Sequence, residues 1–240
     1  MGGNRCFSNA VGLARISSGR KLKTESGIRN ASASELHAVT SIWREGVRVT
    51  RCIPTATTLV LGSRQSEEIV DRHAAKRTGL EIVRRRSGGG AVLVDANHSV
   101  WIDIEVGIED ARYCAEPMAM MAKVGQWWME ALRSLNCCPP DLWQFEGAME
   151  CDAGGDVICF AGRAHGELMV GQSKLVGLSQ RRTRDGARVQ GQLHFADPTD
   201  VMLEALAESS PLTRRPALIS GPCREIIDAG LLAALTAAIA

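Results

Sequence analysis

The stretch Arg84-Arg85-Arg86-Ser87-Gly88-Gly89-Gly90-Ala91-Val92 decides how this chain is read. Apolar and β-branched residues stand on both sides of it, Leu80 to Val83 before and Ala91 to Val94 after, so it joins two strands. Three consecutive glycines cost chain entropy, and a turn that keeps them has a use for backbone without side chains. Exposed N–H groups in such a turn form a concavity for an anion, a phosphate or a carboxylate. The adjacent arginines add forked cationic donors. The turn is not a Walker loop, because no Gly-Lys-Ser/Thr ends it. It is not a dinucleotide fingerprint either, because a strand rather than a helix follows. Taken alone, the triplet also fits a flexible hairpin turn beside a solvated basic strand.

A second segment, Gly171-Gln-Ser-Lys174-Leu-Val-Gly177-Leu-Ser179-Gln180-Arg181-Arg182, starts a strand with a lysine and ends it with Gln and two Arg. A period of two buries Leu175 and sends Lys174 to the opposite face. Aimed into a pocket, that lysine holds a carbonyl or phosphate oxygen as charge develops; aimed outward, it is a surface lysine. A third segment, Asp156-Val-Ile-Cys159-Phe160, surrounds a cysteine with apolar residues, as a core strand does.

Around these segments the pattern mixes strands and helices without regular alternation. Ser32-Ala-Ser-Glu35 reads as a capping box opening a helix over 33–48, with Leu36, Val39, Ile42 and Trp43 on one face. Further helices are predicted over 66–78, stopped by Gly79, over 113–135, over 198–208 and over 223–239. Strands are predicted over 57–61, 80–85, 91–94, 100–106, 157–160, 166–171, 174–179 and 188–195, and a surface loop over 141–156. The expected class is α+β, a mixed or antiparallel sheet with helices packed on it. Residues 1–30 are expected to be a flexible tail and 31–240 a single domain, with 211–216 the sole linker candidate.

Composition excludes several functions. Lys plus Arg is 28 against 27 Asp plus Glu, too even for a general nucleic-acid binder. Aromatics are 4%, too few for a base-stacking platform. No apolar run is long enough to span a membrane. The eight cysteines show neither C-x-x-C nor zinc-finger spacing, so no metal site is assigned and reduced thiols in the cytoplasm are expected. His37, His73 and His98 lack partners at ligand spacing, and Trp127, Trp128 and Trp143 read as core or pocket rim.

In their order along the chain these segments resemble the biotin/lipoate protein ligase superfamily, in its lipoate–protein ligase A and octanoyltransferase branch. The resemblance begins at Leu59-Val-Leu-Gly62-Ser-Arg64-Gln65, continues through Gly79 to Val92 and Asp95, and ends with Lys174-Leu-Val-Gly177-Leu-Ser179-Gln180-Arg181-Arg182. It implies that family's catalytic-domain fold. It implies attachment of a lipoyl or octanoyl group to a lysine of a lipoyl domain, by way of an acyl-AMP made from the free acid with ATP and Mg2+. Lys174 becomes the catalytic residue. Arg85, Arg86, Ser87, Gly88, Gly89, Gly90, Ala91, Gly177, Ser179 and Gln180 become the substrate and acyl-phosphate set, and Val92, Val176 or Leu178 line the acyl slot. Sister enzymes transfer octanoyl without ATP through a cysteine at the place of Cys159, where the charge of Lys174 would favour a thiolate. The chain departs from ligases at Val189-Gln190-Gly191-Gln192-Leu193-His194, where a His-Gly pair is usual. It also ends at Ala240, without the C-terminal domain of two-domain ligases. That suggests a separate accessory-domain protein as partner, or a homologue that binds acyl ligands without turnover.

Overall fold

The computed structural model describes residues 23–39, 43–151, 157–206 and 214–240. The elements of the first half are β1 (Thr24–Ala31), α1 (Ala33–Ala38), β2 (Val47–Pro54), β3 (Thr58–Leu61), α2 (Arg72–Arg77), β4 (Glu81–Arg84), β5 (Val92–Val94) and β6 (Ser99–Gly107). The second half holds α3 (Pro117–Ser134), β7 (Leu142–Gln144), β8 (Leu168–Val170), β9 (Ser173–Thr183), β10 (Gly186–His194), α4 (Thr199–Ala205) and α5 (Pro222–Ile239). Seven strands form one sheet in the order β1-β2-β6-β10-β9-β8-β7, parallel at β1–β2 and antiparallel elsewhere. A second sheet has the order β4-β3-β5, parallel at β3–β4 and antiparallel at β3–β5. The fold is therefore α+β with mixed sheets, as the sequence pattern predicts.

All nine residues of β6 are buried, because both faces of the large sheet are covered. Val100, Ile102, Ile104 and Val106 join Val189 and Leu193 of β10 in a core with Val124, Trp128 and Leu132 of α3 and Leu231 and Leu235 of α5. Side chains in a strand alternate between faces, so the intervening residues point the other way, toward α1 and the small sheet. On β6 these are Trp101, Asp103 and Glu105; on β10 they are Arg188, Gln192 and His194, all buried, with Gln190 partly so. The second face is thus polar and dry at once.

Arg188 holds that layer together. Its Nε donates to Asp103 Oδ2 at 2.9 Å, and its Nη groups donate to Leu36 O at 2.7 Å and Val39 O at 3.1 Å. Those two carbonyls stand at the end of α1, so the guanidinium pins α1 across the sheet. Asp103 also accepts from Trp101 Nε1 at 2.9 Å and from Cys52 Sγ at 3.5 Å.

Several expected boundaries move. Residues 24–30, counted with the tail, form most of β1, paired in register with β2; residues 1–22 lie outside the described set. The helix expected over 33–48 ends at Ala38, and Gly46 at φ 93° leads into β2, whose Val47, Val49 and Thr50 are β-branched and prefer a strand. The capping box of Ser32 and Glu35 is present. The helix expected over 66–78 splits into a single 3-10 turn, Glu67–Ile69, and α2, which Asp71 caps. The strand expected over 157–160 makes one bridge, Ile158 to Ala91, and then turns as a 3-10 segment at Cys159–Ala161. The loop expected over 141–156 contains β7, and its residues 152–156 are outside the described set, as are residues 211–213 of the linker candidate.

Replacing Asp103 by Ala leaves Arg188 charged, buried and without its carboxylate. Loss of one partner of a buried pair costs about 3–5 kcal/mol. Urea unfolding of Asp103→Ala is expected to show a loss of that size, and a change under 1 kcal/mol would refute the role given to the pair.

Candidate active site

The glycine turn is folded around Arg85. The residue follows β4, and its guanidinium, 3% exposed, donates through Nη2 to Gly88 O and Gly90 O, both at 2.8 Å, and through Nε to Gly88 O at 3.3 Å. Burial pulls its pKa down, with Cys159 acting in the opposite sense. Gly88 and Gly89 are exposed, and among the described residues no acceptor takes their N–H groups. The turn lies so close to the end of β3 that a Cβ on Gly62 would sit 1.9 Å from Gly89 O. On the other side, a Cβ on Gly90 would sit 2.8 Å from Cys159 N. Gln65 locks the arrangement: its Oε1 accepts from Gly62 N and its Nε2 donates to Val157 O, each at 2.9 Å. The Gly62-Ser-Arg64-Gln65 segment thereby ties the glycine turn to the backbone beside Cys159.

Lys174 enters from β9, 3% exposed. Its Nζ donates to Cys159 O at 2.7 Å and pairs with Glu167 Oε2 at 2.7 Å. Glu167, 1% exposed, also accepts from Leu178 N at 3.0 Å and Ala164 N at 2.6 Å. Burial alone pulls the lysine pKa down, but the neighbouring Cys159 and Glu167 act in the opposite sense and leave it raised. The ammonium is thus fixed, charged, and has one N–H beyond those two bonds.

Two cavities meet at this point. The outer one, about 240 Å3, is lined by Arg64, Gly88 to Gly90, Met121, Met149, Cys151, Arg163, Glu167, Lys174 and Gln180. The inner one, about 40 Å3, is lined by His37, Val92, Val94, Trp101, Phe160, Gly177, Gln190, Gly191 and Gln192. Arg85, Cys159, Leu178 and Ser179 line both. A molecule with an anionic head and a slender tail fits this sequence of an open cationic cleft, a junction, and a crevice between the two sheets.

The structure brings together Lys174, Cys159, Arg85, Gly88, Gly89, Gly90, Gly177, Ser179 and Gln180. It leaves others aside. Arg86 is exposed and lines neither cavity. Ser87 is buried, 3.1 Å from Ser179 Oγ and 3.4 Å from Gln190 Oε1, and Ala91 serves the bridge to Ile158; neither lines a cavity. Val92 and Leu178 line the crevice, whereas Val176 packs in the helix-side core. Glu167 and His37 were not singled out as site residues. An acid between Gly166 and Leu168-Met169-Val170 was a signal for Glu167. His37, read as bland, stacks on Trp101 with ring centroids 4.5 Å apart.

Residues 38–220 match the Lipoyl protein ligase A/B catalytic domain, and the chain belongs to that family. Solved structures of the same fold include protein Ta0514 of T. acidophilum with bound lipoic acid, at 14% identity and TM-score 0.65, covering 90% of this chain and 86% of that one. A lipoate-protein ligase A bound with ATP has 16% identity and TM-score 0.63, covering 91% and 83%. The bipartite lipoate protein ligase of Thermoplasma acidophilum, solved with its E2 lipoyl domain, has 13% identity and TM-score 0.65, covering 90% and 84%. No curated protein matches the sequence. No helix among the described residues is long and apolar enough to cross a membrane.

Two histidines are buried, His37 on the crevice and His194 edge-on against Phe160. Burial, with Arg188 and Arg85 nearby, lowers the pKa of His37 to about 3, and burial lowers that of His194 to about 4 against a weaker opposing effect of Asp197. The unfolded chain binds these protons near pH 6.5. As pH falls below that value the unfolded state takes up protons the folded state refuses, so stability declines down to the folded pKa values. Two protons give a slope of up to about 2–3 kcal/mol per pH unit. Urea unfolding at pH 7, 6 and 5 should show this decline, and His194→Asn should remove about half of it. A flat profile over that range would refute it.

Proposed function

We propose that this chain attaches a lipoyl or octanoyl group to a lysine of a lipoyl domain by way of an acyl-AMP. The supporting observation is the Lys174 ammonium, held by Glu167 and Cys159 O where the cationic cleft meets the crevice. In the first half-reaction a carboxylate oxygen of the free acid attacks the α-phosphorus of ATP and pyrophosphate leaves. In the second, the acceptor amine attacks the acyl carbonyl, AMP leaves, and the amine proton passes to solvent or phosphate. Negative charge builds on the phosphate and departing pyrophosphate oxygens in the first, and on the acyl carbonyl and departing AMP oxygens in the second, and a fixed cation there stabilises it without reorganising. Arg64 at the outer cleft adds positive charge for phosphates, Arg163 stands there already paired with Glu150, and the exposed Gly88 and Gly89 offer backbone donors. Among the described residues no group of three or more His, Cys, Asp or Glu could hold a metal, so Mg2+ would enter on the phosphates of the nucleotide. The lipoyl domain is the acceptor. A separate accessory protein is a natural further partner, by analogy with the bipartite archaeal ligase. Residues 24–240 would act as one catalytic unit in the cytoplasm.

One observation favours a second reading. Cys159 lines both cavities and lies beside two cations, Lys174 and Arg85. A thiolate there could accept octanoyl from a donor lipoyl domain as a thioester, freeing the donor amine, and pass it on without ATP.

Mass spectrometry of an apo lipoyl domain separates the readings. Modification that needs lipoate or octanoate with ATP and magnesium, and survives in Cys159→Ala, is the expected result. Transfer from an octanoylated donor without ATP, abolished in Cys159→Ala, would replace the ligase by the transferase. Lys174→Ala is expected to lower either rate by about 10²–10³-fold, the size of losing one preorganised donor. Retention of full rate would refute its role. No modification, even with an accessory protein supplied, would leave a binding protein.

A further inference from the structure

On the helix side of the large sheet, away from the cleft and the crevice, three thiols share one cavity. Cys137 and Cys138 follow the end of α3, and Cys223 is the second residue of α5. All three line an open cavity of about 230 Å3 between the two helix ends. Asn136, at φ 54°, turns the chain back after α3, and Cys137 N donates to Leu132 O at 3.3 Å. That turn buries Cys137, 4% exposed, in the helix-side core and brings its Sγ to 3.9 Å from Cys223 O. The two thiols also bond to each other. A sulfur that close to its partner's own backbone needs rotation of a side chain, not movement of a helix, to close a bond. Cys138 instead directs its Sγ to Pro139 O at 3.4 Å. It is no relaxed partner for Cys137, because adjacent Cα atoms stand about 3.8 Å apart and a disulfide usually spans roughly 4.4–6.8 Å. Among the described residues no group of three or more His, Cys, Asp or Glu is arranged to hold a metal. The chemistry open to this pair is therefore that of two neighbouring thiols.

We infer that Cys137 and Cys223 are a reversible disulfide site, closed by exchange with a low-molecular-weight disulfide of the glutathione class that reaches Cys223 from the open cavity. Cys223 is half-buried and lines the cavity, so it attacks first. Its sulfur bonds to one sulfur of the small disulfide, the S–S bond of that molecule breaks, and the departing thiolate takes the proton Cys223 gave up. Cys137 then attacks the Cys223 sulfur, and the second small thiol leaves with the Cys137 proton. The protein loses two electrons and two protons, and the small disulfide becomes two thiols. Burial, and after it the Cys223 neighbour, push the Cys137 thiol up to about 11. Little of it is thiolate at neutral pH, which is why it resolves the exchange and does not start it. The bond would join positions 86 apart. The closed loop runs from the end of α3 to the start of α5 and contains Cys159, Glu167 and Lys174. A crosslink over so long a loop takes much conformational freedom from the unfolded chain, so the oxidised form is the more stable one.

The test treats the full, reduced chain with oxidised glutathione, blocks the remaining thiols and maps the products by mass spectrometry. Chymotrypsin, which cuts after Trp143 and Phe145, parts Cys137 and Cys138 from Cys151 and Cys159. The expected product is one internal disulfide joining the Cys137 peptide to the Cys223 peptide, with no glutathione left on either. Its urea midpoint should rise by about 1–2 M and return when dithiothreitol is added. Cys138→Ala should keep both the link and the rise. Cys137→Ala should stop at glutathione held on Cys223, which traps the first step. Should the buried Cys137→Ala chain not fold, Cys223→Ala, at a half-buried position, serves as the control and should show neither link nor rise. A link through Cys138, glutathione left on Cys223 of the unsubstituted chain, or a midpoint that does not move on oxidation would each overturn the inference.

Discussion

The site depends on a lysine that has been taken out of water. An ammonium buried to this depth survives only if its charge is matched and its hydrogens are used. Glu167 supplies the charge, and Cys159 O supplies a second acceptor. Glu167 is fixed in turn by the N–H groups of Ala164 and Leu178. One ion pair therefore ties the Gly166 turn, the Cys159 turn and the middle of β9 into a single rigid unit. Neither the position of the cysteine nor the width of the junction could change without uncovering one of those charges.

Arg85 shows the same logic with a different partner. Its positive charge is answered by carbonyl dipoles of the glycine turn rather than by a carboxylate. Carbonyls drawn inward onto the guanidinium shape the turn, and the exposed glycine N–H groups remain for an external anion. The sequence likeness assigns Arg85 directly to a phosphate. In the fold its donors are directed to the chain itself and hold the turn in shape. Lys174 and Arg64 line the open cleft beside Arg85, and Arg163 does so already paired with Glu150.

How much of this was readable from the residues follows from where the physics is local. Gly88 to Gly90 between two β-branched runs is a local signal, and so is the capping box at Ser32. Lys174 and Leu175 on opposite faces follow from the strand period, and both prove buried because both faces of the sheet are covered. The strand β1 gave no such signal. Its Thr24-Glu-Ser-Gly-Ile-Arg-Asn-Ala31 lacks apolar alternation and is held by backbone pairing to β2 at the edge of the sheet. His37 was missed for a related reason. A histidine on a short helix has no partner at sequence spacing, and its partners Trp101 and Gln190 arrive from β6 and β10.

The segment Val189 to His194, which departs from the ligase pattern, is where the fold gives the departure a meaning. Read along the chain, it lacks a His-Gly pair. Read across the sheet, Val189 and Leu193 belong to the helix-side core, and Gly191 packs against the Trp128 ring. Gln190 and Gln192 face the crevice, and Gln192 Nε2 donates to Leu93 O at 2.7 Å. The polar residues that break the pattern thus turn their amides to the fold and tie the two sheets together beside the crevice. Each buried amide must be satisfied, and here the fold does it: Gln192 through Leu93 O of the small sheet, and Gln190 through Ser87 and Asp103, which leaves the crevice between the sheets almost wholly apolar.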